Sequence, residues 1–346
     1  MSRNYQLALI GFGNVNRSLA EMIVQDGGRL AAELGFSLTI TAITDLRLGS
    51  IADAAGLDMA QIMALTADQN FSALPGGRLD LDMESFIRAA PADIVVEATF
   101  TNPVDGQPAV SHCRWAIESG KSVVTTNKGP VAFAAAELTD LAAHYGVGFE
   151  FEGSVMSGTP VIRLAQGPLK GVGITGFAGI LNGTSNYVLT RMAAGLSQLA
   201  AIEEAQDFGY AEADPTADIG GSDVLLKVII LADRLLGAAL TPADVQVEGI
   251  SGISSEMVAT ASANGQCWKL IGQARRNEQG QVEASVSPQL LPAEHPLAAI
   301  PGATNAVMFD TDYLGAVTIS GPGAGRTETA FALLSDIVAL DARLGR

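Results

Sequence analysis

The stretch Tyr5-Gln6-Leu7-Ala8-Leu9-Ile10-Gly11-Phe12-Gly13-Asn14-Val15-Asn16 reads as a short buried strand, a glycine turn and the start of a helix running to about Gln25. Glycines at 11 and 13 permit a tight turn, and the backbone N–H groups of the helix that follows suit a pyrophosphate. Gly11, Phe12, Gly13, Asn14 and Val15 are therefore candidate cofactor residues. Asn16 stands where the Gly-x-Gly-x-x-Gly pattern has its third glycine, which weakens the pattern, and an ordinary tight turn competes with it. Residues 37–44 alternate like a second strand ending at Asp45, where an acid suits an adenosine ribose. Arg47, two residues on, is a cation suited to a 2′-phosphate.

The pattern continues. Residues 93–99 and 122–127 read as buried strands, each preceded by helical sequence around 83–89 and 109–119. Repeated α/β alternation predicts a parallel, doubly wound sheet with ligand loops at the C-terminal strand ends. Thr99 and Lys128, the latter between a strand and a helix over 130–145, occupy two such ends; a solvated loop lysine is the plain alternative for Lys128. Residues 147–154 read as one more strand, with Glu152 before the turn Met156-Ser157-Gly158-Thr159-Pro160. That acid, with turn carbonyls, suits a hard cation, or is simply an acid at a sheet edge.

From Gly171 the character changes to a glycine-rich apolar segment, a helix capped by Asn182-Gly183-Thr184-Ser185-Asn186 and another over 196–208. Residues 268–276, 281–290, 304–310 and 315–320 alternate like antiparallel strands, so the second domain is α+β. The division places a dinucleotide-binding domain at 1–150 and a substrate-binding and dimerisation domain at 151–321. A closing helix within 322–346 is expected to pack back on the first domain.

A charge of −17 and a pI near 4.5 disfavour nucleic-acid and anionic-membrane partners and suit a small-molecule substrate. Two cysteines, Cys113 and Cys267, give neither a disulfide framework nor metal-ligand spacing, as in a reducing cytoplasm. No signal peptide and no spanning apolar run is recognisable. His112, His144 and His295 lack the spacing of ligands or of a nucleophile and its base, and read as structural or surface residues.

The segment from Gly209 to Leu231 is where acid gives way to apolar sequence. Ser222 reads as an N-cap, Asp223 sits in the first helical turn, and Lys227 lies within Val224, Leu225, Leu226, Val228, Ile229, Ile230 and Leu231. A buried ammonium needs a partner or a task. Asp223, four residues earlier, shares its helix face, and Glu212, Asp214 and Asp218 can fold back towards it. A structural Asp–Lys pair and a working lysine both fit these residues.

Taken together, the chain resembles the homoserine dehydrogenase family. Gly179-Ile180-Leu181-Asn182-Gly183-Thr184-Ser185-Asn186-Tyr187 and the Gly-Tyr-x-Glu-x-Asp-Pro-x-x-Asp-Ile-x-Gly-x-Asp-x-x-x-Lys run from Gly209 to Lys227 carry the likeness. Thr126-Asn127-Lys128 and Gly323-Ala324-Gly325 support it. The resemblance implies NAD(P)-dependent interconversion of L-homoserine and L-aspartate 4-semialdehyde, in threonine and methionine biosynthesis. By that likeness Lys227 is the proton donor and Lys128 a second active-site lysine. Gly209, Glu212, Asp218 and Asp223 hold the substrate and the lysine, and Gly325 joins the cofactor residues. A monovalent cation, Na+ or K+, is implied at the Glu152 side chain and the carbonyls of Val155, Ser157 and Thr159, although Met156-Ser157 replaces a glycine pair there. The family's frequent use of NADP, with Arg47 displacing the Asp45 carboxylate, inclines the cofactor towards NADP over NAD. A homodimer or homotetramer without the regulatory ACT domain is expected. The residues also leave room for a dehydrogenase of a related amino or hydroxy acid, and for a catalytically silent NAD(P)-binding regulator.

Overall fold

The computed structural model describes residues 3–79 and 82–345 and divides into two compact units, one through Ser154 with the chain again from Arg326, the other Val155–Gly325. Residues 1, 2, 80, 81 and 346, which the expected domain ranges include, lie outside the described residues.

In the first unit, β1 (Arg3–Ile10), α1 (Asn14–Leu34), β2 (Phe36–Asp45) and β3 (Gly49–Ala52) are followed by α2 (Met59–Met63), α3 (Met83–Ala89) and β4 (Ile94–Glu97). Next come α4 (Ala109–Glu118), β5 (Ser122–Thr125), α5 (Lys128–Tyr145) and β6 (Phe149–Glu150). The sheet order is β3-β2-β1-β4-β5-β6, parallel throughout except for β3, which pairs antiparallel with β2. The order is that of a doubly wound dinucleotide-binding sheet. Leu7, Leu9, Val96 and Val124 on the strands pack with Phe12, Leu333 and Ile337 in one core. Burial on both faces explains why these strands read as continuous apolar runs.

One expectation is corrected here, and the departure at Asn16 is explained. The strand expected over 147–154 shrinks to Phe149–Glu150, because the chain turns at Gly153 into the short helix α6 (Gly153–Met156). A side chain at Gly153 would run into Thr126 and Ala332, so the turn needs glycine. Asn16 does not loosen the helix–sheet contact: its side chain is buried, and its amide donates to the carbonyls of Gly11 at 2.7 Å, Ile10 at 3.3 Å and Val96 at 3.4 Å. The amide thus ties α1 to the ends of β1 and β4, which a glycine cannot do.

The second unit contains α7 (Val161–Gln166), β7 (Ile174–Ile180), α8 (Gly183–Ala193), α9 (Gln198–Asp207), α10 (Thr216–Ile219) and α11 (Ser222–Leu236). Then follow β8 (Gln246–Val247), α12 (Ser255–Ala263), β9 (Gln266–Arg276), β10 (Val282–Pro292), β11 (Thr304–Thr311) and β12 (Gly315–Pro322). Their sheet has the order β12-β11-β7-β9-β10-β8, antiparallel apart from the β8–β10 pair. The glycine-rich segment after Gly171 supplies β7, a central strand. Side chains at Gly176 and Gly179 would press on the neighbouring backbones of β9 and β11, so the glycines that hide the strand signal let it pack there. Helix α11 lies against β7, β9 and β10, where Gly272 leaves room for Val224 and Val228. Finally α13 (Arg326–Leu344) packs on α1 within the first unit.

Candidate active site

In the first unit the glycine turn is built for a close approach. Gly11 has φ 79°, and a Cβ there would stand 2.9 Å from the Ala98 carbonyl oxygen. Gly13 caps α1 with no side-chain cap and has open space where a Cβ would be, so the N–H groups opening at Asn14 and Val15 are left for an anion. These residues fit a dinucleotide pyrophosphate. The Phe12 ring is 1% exposed in the core, so only its backbone is available at the turn. Its N–H donates to Asp45 Oδ2 at 3.0 Å, while Asp45 Oδ1 accepts from the N–H groups of Arg47 at 2.9 Å and Leu48 at 3.3 Å. Three backbone donors hold the carboxylate in place. Sequence reading missed Arg17, whose guanidinium carbon lies 4.6 Å from the Phe12 ring centre and whose Nε donates to the Phe12 carbonyl. Its only signal is its place in the first turn of α1, where a cation beside the glycine turn suits a phosphate.

The ends of β4 and β5 are joined by a buried network. Glu97 accepts from Thr99 N at 3.1 Å and Thr125 Oγ1 at 3.0 Å, and also from Thr99 Oγ1. Asn127 donates to the Thr99 and Phe100 carbonyls and caps α5 by accepting from Gly129 N at 2.9 Å. Lys128 is the first residue of that helix, so its backbone position is fixed from both strands.

In the second unit the charged residues of the signature meet at the start of α11. Lys227, 7% exposed, places Nζ 2.9 Å from Asp223 Oδ2 and 2.6 Å from the Leu181 carbonyl oxygen. The helix starts differently from expectation: Gly221, at φ 85°, takes the N-cap position without a side-chain cap, and Ser222 is the first helical residue. Its hydroxyl reaches back to the Ala217 carbonyl instead. Six apolar residues from Val224 to Leu231 are buried around the lysine, each worth about 2 kcal/mol of burial, so the helix is held by packing. Asn182 bridges the acids, with Nδ2 2.7 Å from Asp218 Oδ1 and 3.0 Å from Asp223 Oδ2. Burial, and then the Asp223 charge, push the Asp218 carboxyl above its ordinary value. Glu212 is exposed and outside this hydrogen-bonded cluster, and Gly209, at φ 73°, is the left-handed residue after α9.

The residues expected around a cation fall in both units, Glu152 in the first and Val155, Ser157 and Thr159 in the second. All four are buried, and Ser157 has φ 52°, in the left-handed region that favours glycine. The Thr159 carbonyl already accepts from Val161 N at 2.9 Å. Gly325, at φ 129°, closes the second unit beyond Gly323, where a side chain would strike the Asn305 amide. The thiol of Cys113 is fully buried and raised well above its ordinary pKa by burial, which removes it as a nucleophile.

A family model for homoserine dehydrogenase matches residues 160–338. The NAD(+)-dependent homoserine dehydrogenase of Pseudomonas canavaninivorans is 58% identical over 335 residues, covering 96% of this chain and 95% of that protein. The chain belongs to the homoserine dehydrogenase family. A family member from Methanocaldococcus jannaschii is 37% identical, with 96% and 97% of the two chains covered. A hyperthermophilic archaeal homoserine dehydrogenase in complex with NADPH superposes with a TM-score of 0.81 at 29% identity, over 98% of each chain. As a homoserine dehydrogenase the chain is an NAD(P)-dependent oxidoreductase acting on a CH–OH group. The Lys227 cluster lies inside the span of the family match, and the glycine turn and Lys128 lie outside it.

Proposed function

We propose that the chain interconverts L-homoserine and L-aspartate 4-semialdehyde, with Lys227 as the proton donor to the substrate oxygen in the reducing direction. The observation that carries this role is the buried Lys227 ammonium, whose N–H groups meet Asp223 and the Leu181 carbonyl and leave one of three for a substrate. The nicotinamide supplies or takes the hydride when bound. Asp223 provides the countercharge for Lys227, Asp218 and Glu212 provide carboxylates for the substrate ammonium, and Lys128 adds positive charge for the developing alkoxide.

NAD is the proposed cofactor in preference to NADP, reversing the inclination drawn from Arg47. The Asp45 carboxylate, held by three backbone N–H groups, is an immobile anion at the end of β2, suited to a ribose 2′-hydroxyl and repelling a 2′-phosphate. The relative from Pseudomonas canavaninivorans, named for NAD(+), supports this. A Na+ or K+ ion held by the Glu152 side chain and the carbonyls of Val155, Ser157 and Thr159 is proposed as a structural aid. The enzyme is further proposed to act in the cytoplasm, as a homodimer or homotetramer, in threonine and methionine biosynthesis. Among the described residues no helix is long and apolar enough to cross a membrane.

The test is a spectrophotometric assay of the purified protein with L-homoserine, related hydroxy and amino acids, and each oxidised cofactor. Turnover is expected with homoserine. Turnover confined to another acid, or dinucleotide binding with no turnover on any, would overturn the proposal.

A further inference from the structure

Asn182 stands at the junction of β7 and α8 and is 5% exposed. Its Oδ1 accepts from the Ser185 N–H at 2.8 Å, capping α8, while Nδ2 faces Asp218 Oδ1 at 2.7 Å and Asp223 Oδ2 at 3.0 Å. This orientation is chemically forced: a backbone N–H requires the amide oxygen, and two carboxylates require the amide nitrogen. Asp223 Oδ2 is shared, since Lys227 Nζ approaches the same oxygen at 2.9 Å. Asp218 has no ion-pair partner among the described residues; Thr184 is its other side-chain hydrogen-bond neighbour, and the charged groups acting on it are Asp223 and Lys227.

We propose that Asn182 is a positioning residue of the reaction, one amide group that holds two like-charged carboxylates side by side and assigns them different work. Asp223 is committed to Lys227, and Asp218 is kept ionised and free to receive the substrate ammonium. Without the amide the two carboxylates repel with nothing between them, and the one lacking a cation takes up a proton first. Burial already raises the Asp218 carboxyl, so this loss acts on an acid that is hard to keep charged. The inference rests on the homoserine reading of the site.

Asn182→Ser separates the two functions of the side chain. Serine is an equally good N-cap for α8, so the helix start is retained, but its short hydroxyl cannot span both carboxylates. Steady-state kinetics with homoserine and NAD are measured across pH on wild type and variant, with thermal melting of each. The expected result is a melting point near that of wild type, a KM for homoserine raised about tenfold and an acid limb of kcat/KM moved up by about one pH unit. The KM for NAD stays within about twofold of wild type. Asn182→Asp, which also keeps the cap but adds a negative charge, is expected to move the limb further in the same direction. An unmoved acid limb with unchanged homoserine KM in folded Asn182→Ser overturns the proposal. So does loss of fold in both variants with wild-type kinetics in the folded fraction, which would make Asn182 a helix cap alone. Failure of the homoserine reading shows separately, as absence of turnover by the wild-type protein.

Discussion

At the scale of single residues, the Asp223–Lys227 pair was legible because two charges four apart on an apolar helix have few other places to go. The lysine's second partner was not, since the Leu181 carbonyl comes from a strand end 46 residues away. The true N-cap was missed for a similar reason: Gly221 carries no cap signal of its own, and Ser222 carries a false one. Asp218 gives a pH prediction. Its carboxyl is raised by burial and then by Asp223, and only the ionised form binds an ammonium. The acid limb of kcat/KM for homoserine is thus expected above pH ~4, where ordinary aspartates protonate, with efficiency lost as pH falls through the raised value. A pH profile flat down to that range would remove Asp218 from substrate binding. Asp45 gives another. Setting a 2′-phosphate beside its fixed carboxylate costs at least about 1.4 kcal/mol, so kcat/KM with NAD is expected to exceed that with NADP by about tenfold or more. Equal or reversed efficiencies would contradict the NAD assignment.

At the scale of elements, helices and buried strands of the first unit were readable from alternation and apolar runs, and the helix expected over 83–89 is α3 without change. Elements that depend on neighbours were harder. The strand β7 contains Gly176 and Gly179, each of which lowers intrinsic strand propensity, and the backbones of β9 and β11 pressed against them explain both. Asn16 looks like a defect in a glycine pattern because its hydrogen bonds go to strand ends that the sequence does not place together. Asn16→Ala leaves those carbonyls short of a buried donor. It is expected to destabilise the protein by about 1–3 kcal/mol in urea unfolding, with a higher KM for the dinucleotide as the glycine turn loosens. Asn16→Ala with unchanged stability would show that the amide bonds contribute nothing net.

At the scale of the whole molecule, repeated strand–helix alternation was enough to foresee a parallel doubly wound sheet, and long alternating strands a second, antiparallel one. The reversed edge strand β3 and the parallel pairing of β8 with β10 were not foreseeable, since short edge strands carry too few residues for a pattern. Assembly belongs to this scale too. Light scattering after size exclusion is expected to give a dimer or tetramer at micromolar concentration, and a monomer would contradict it. Proton exchange by Lys227 is read out by the rate of reduced-nicotinamide formation from homoserine by Lys227→Arg. Arginine keeps the charge beside Asp223 but is too basic and too differently shaped to exchange the proton. The protein is expected to remain folded, to bind the dinucleotide, and to lose turnover by roughly two to four orders of magnitude. Near-normal turnover by the folded variant would contradict the proton-donor role and leave Lys227 a structural cation.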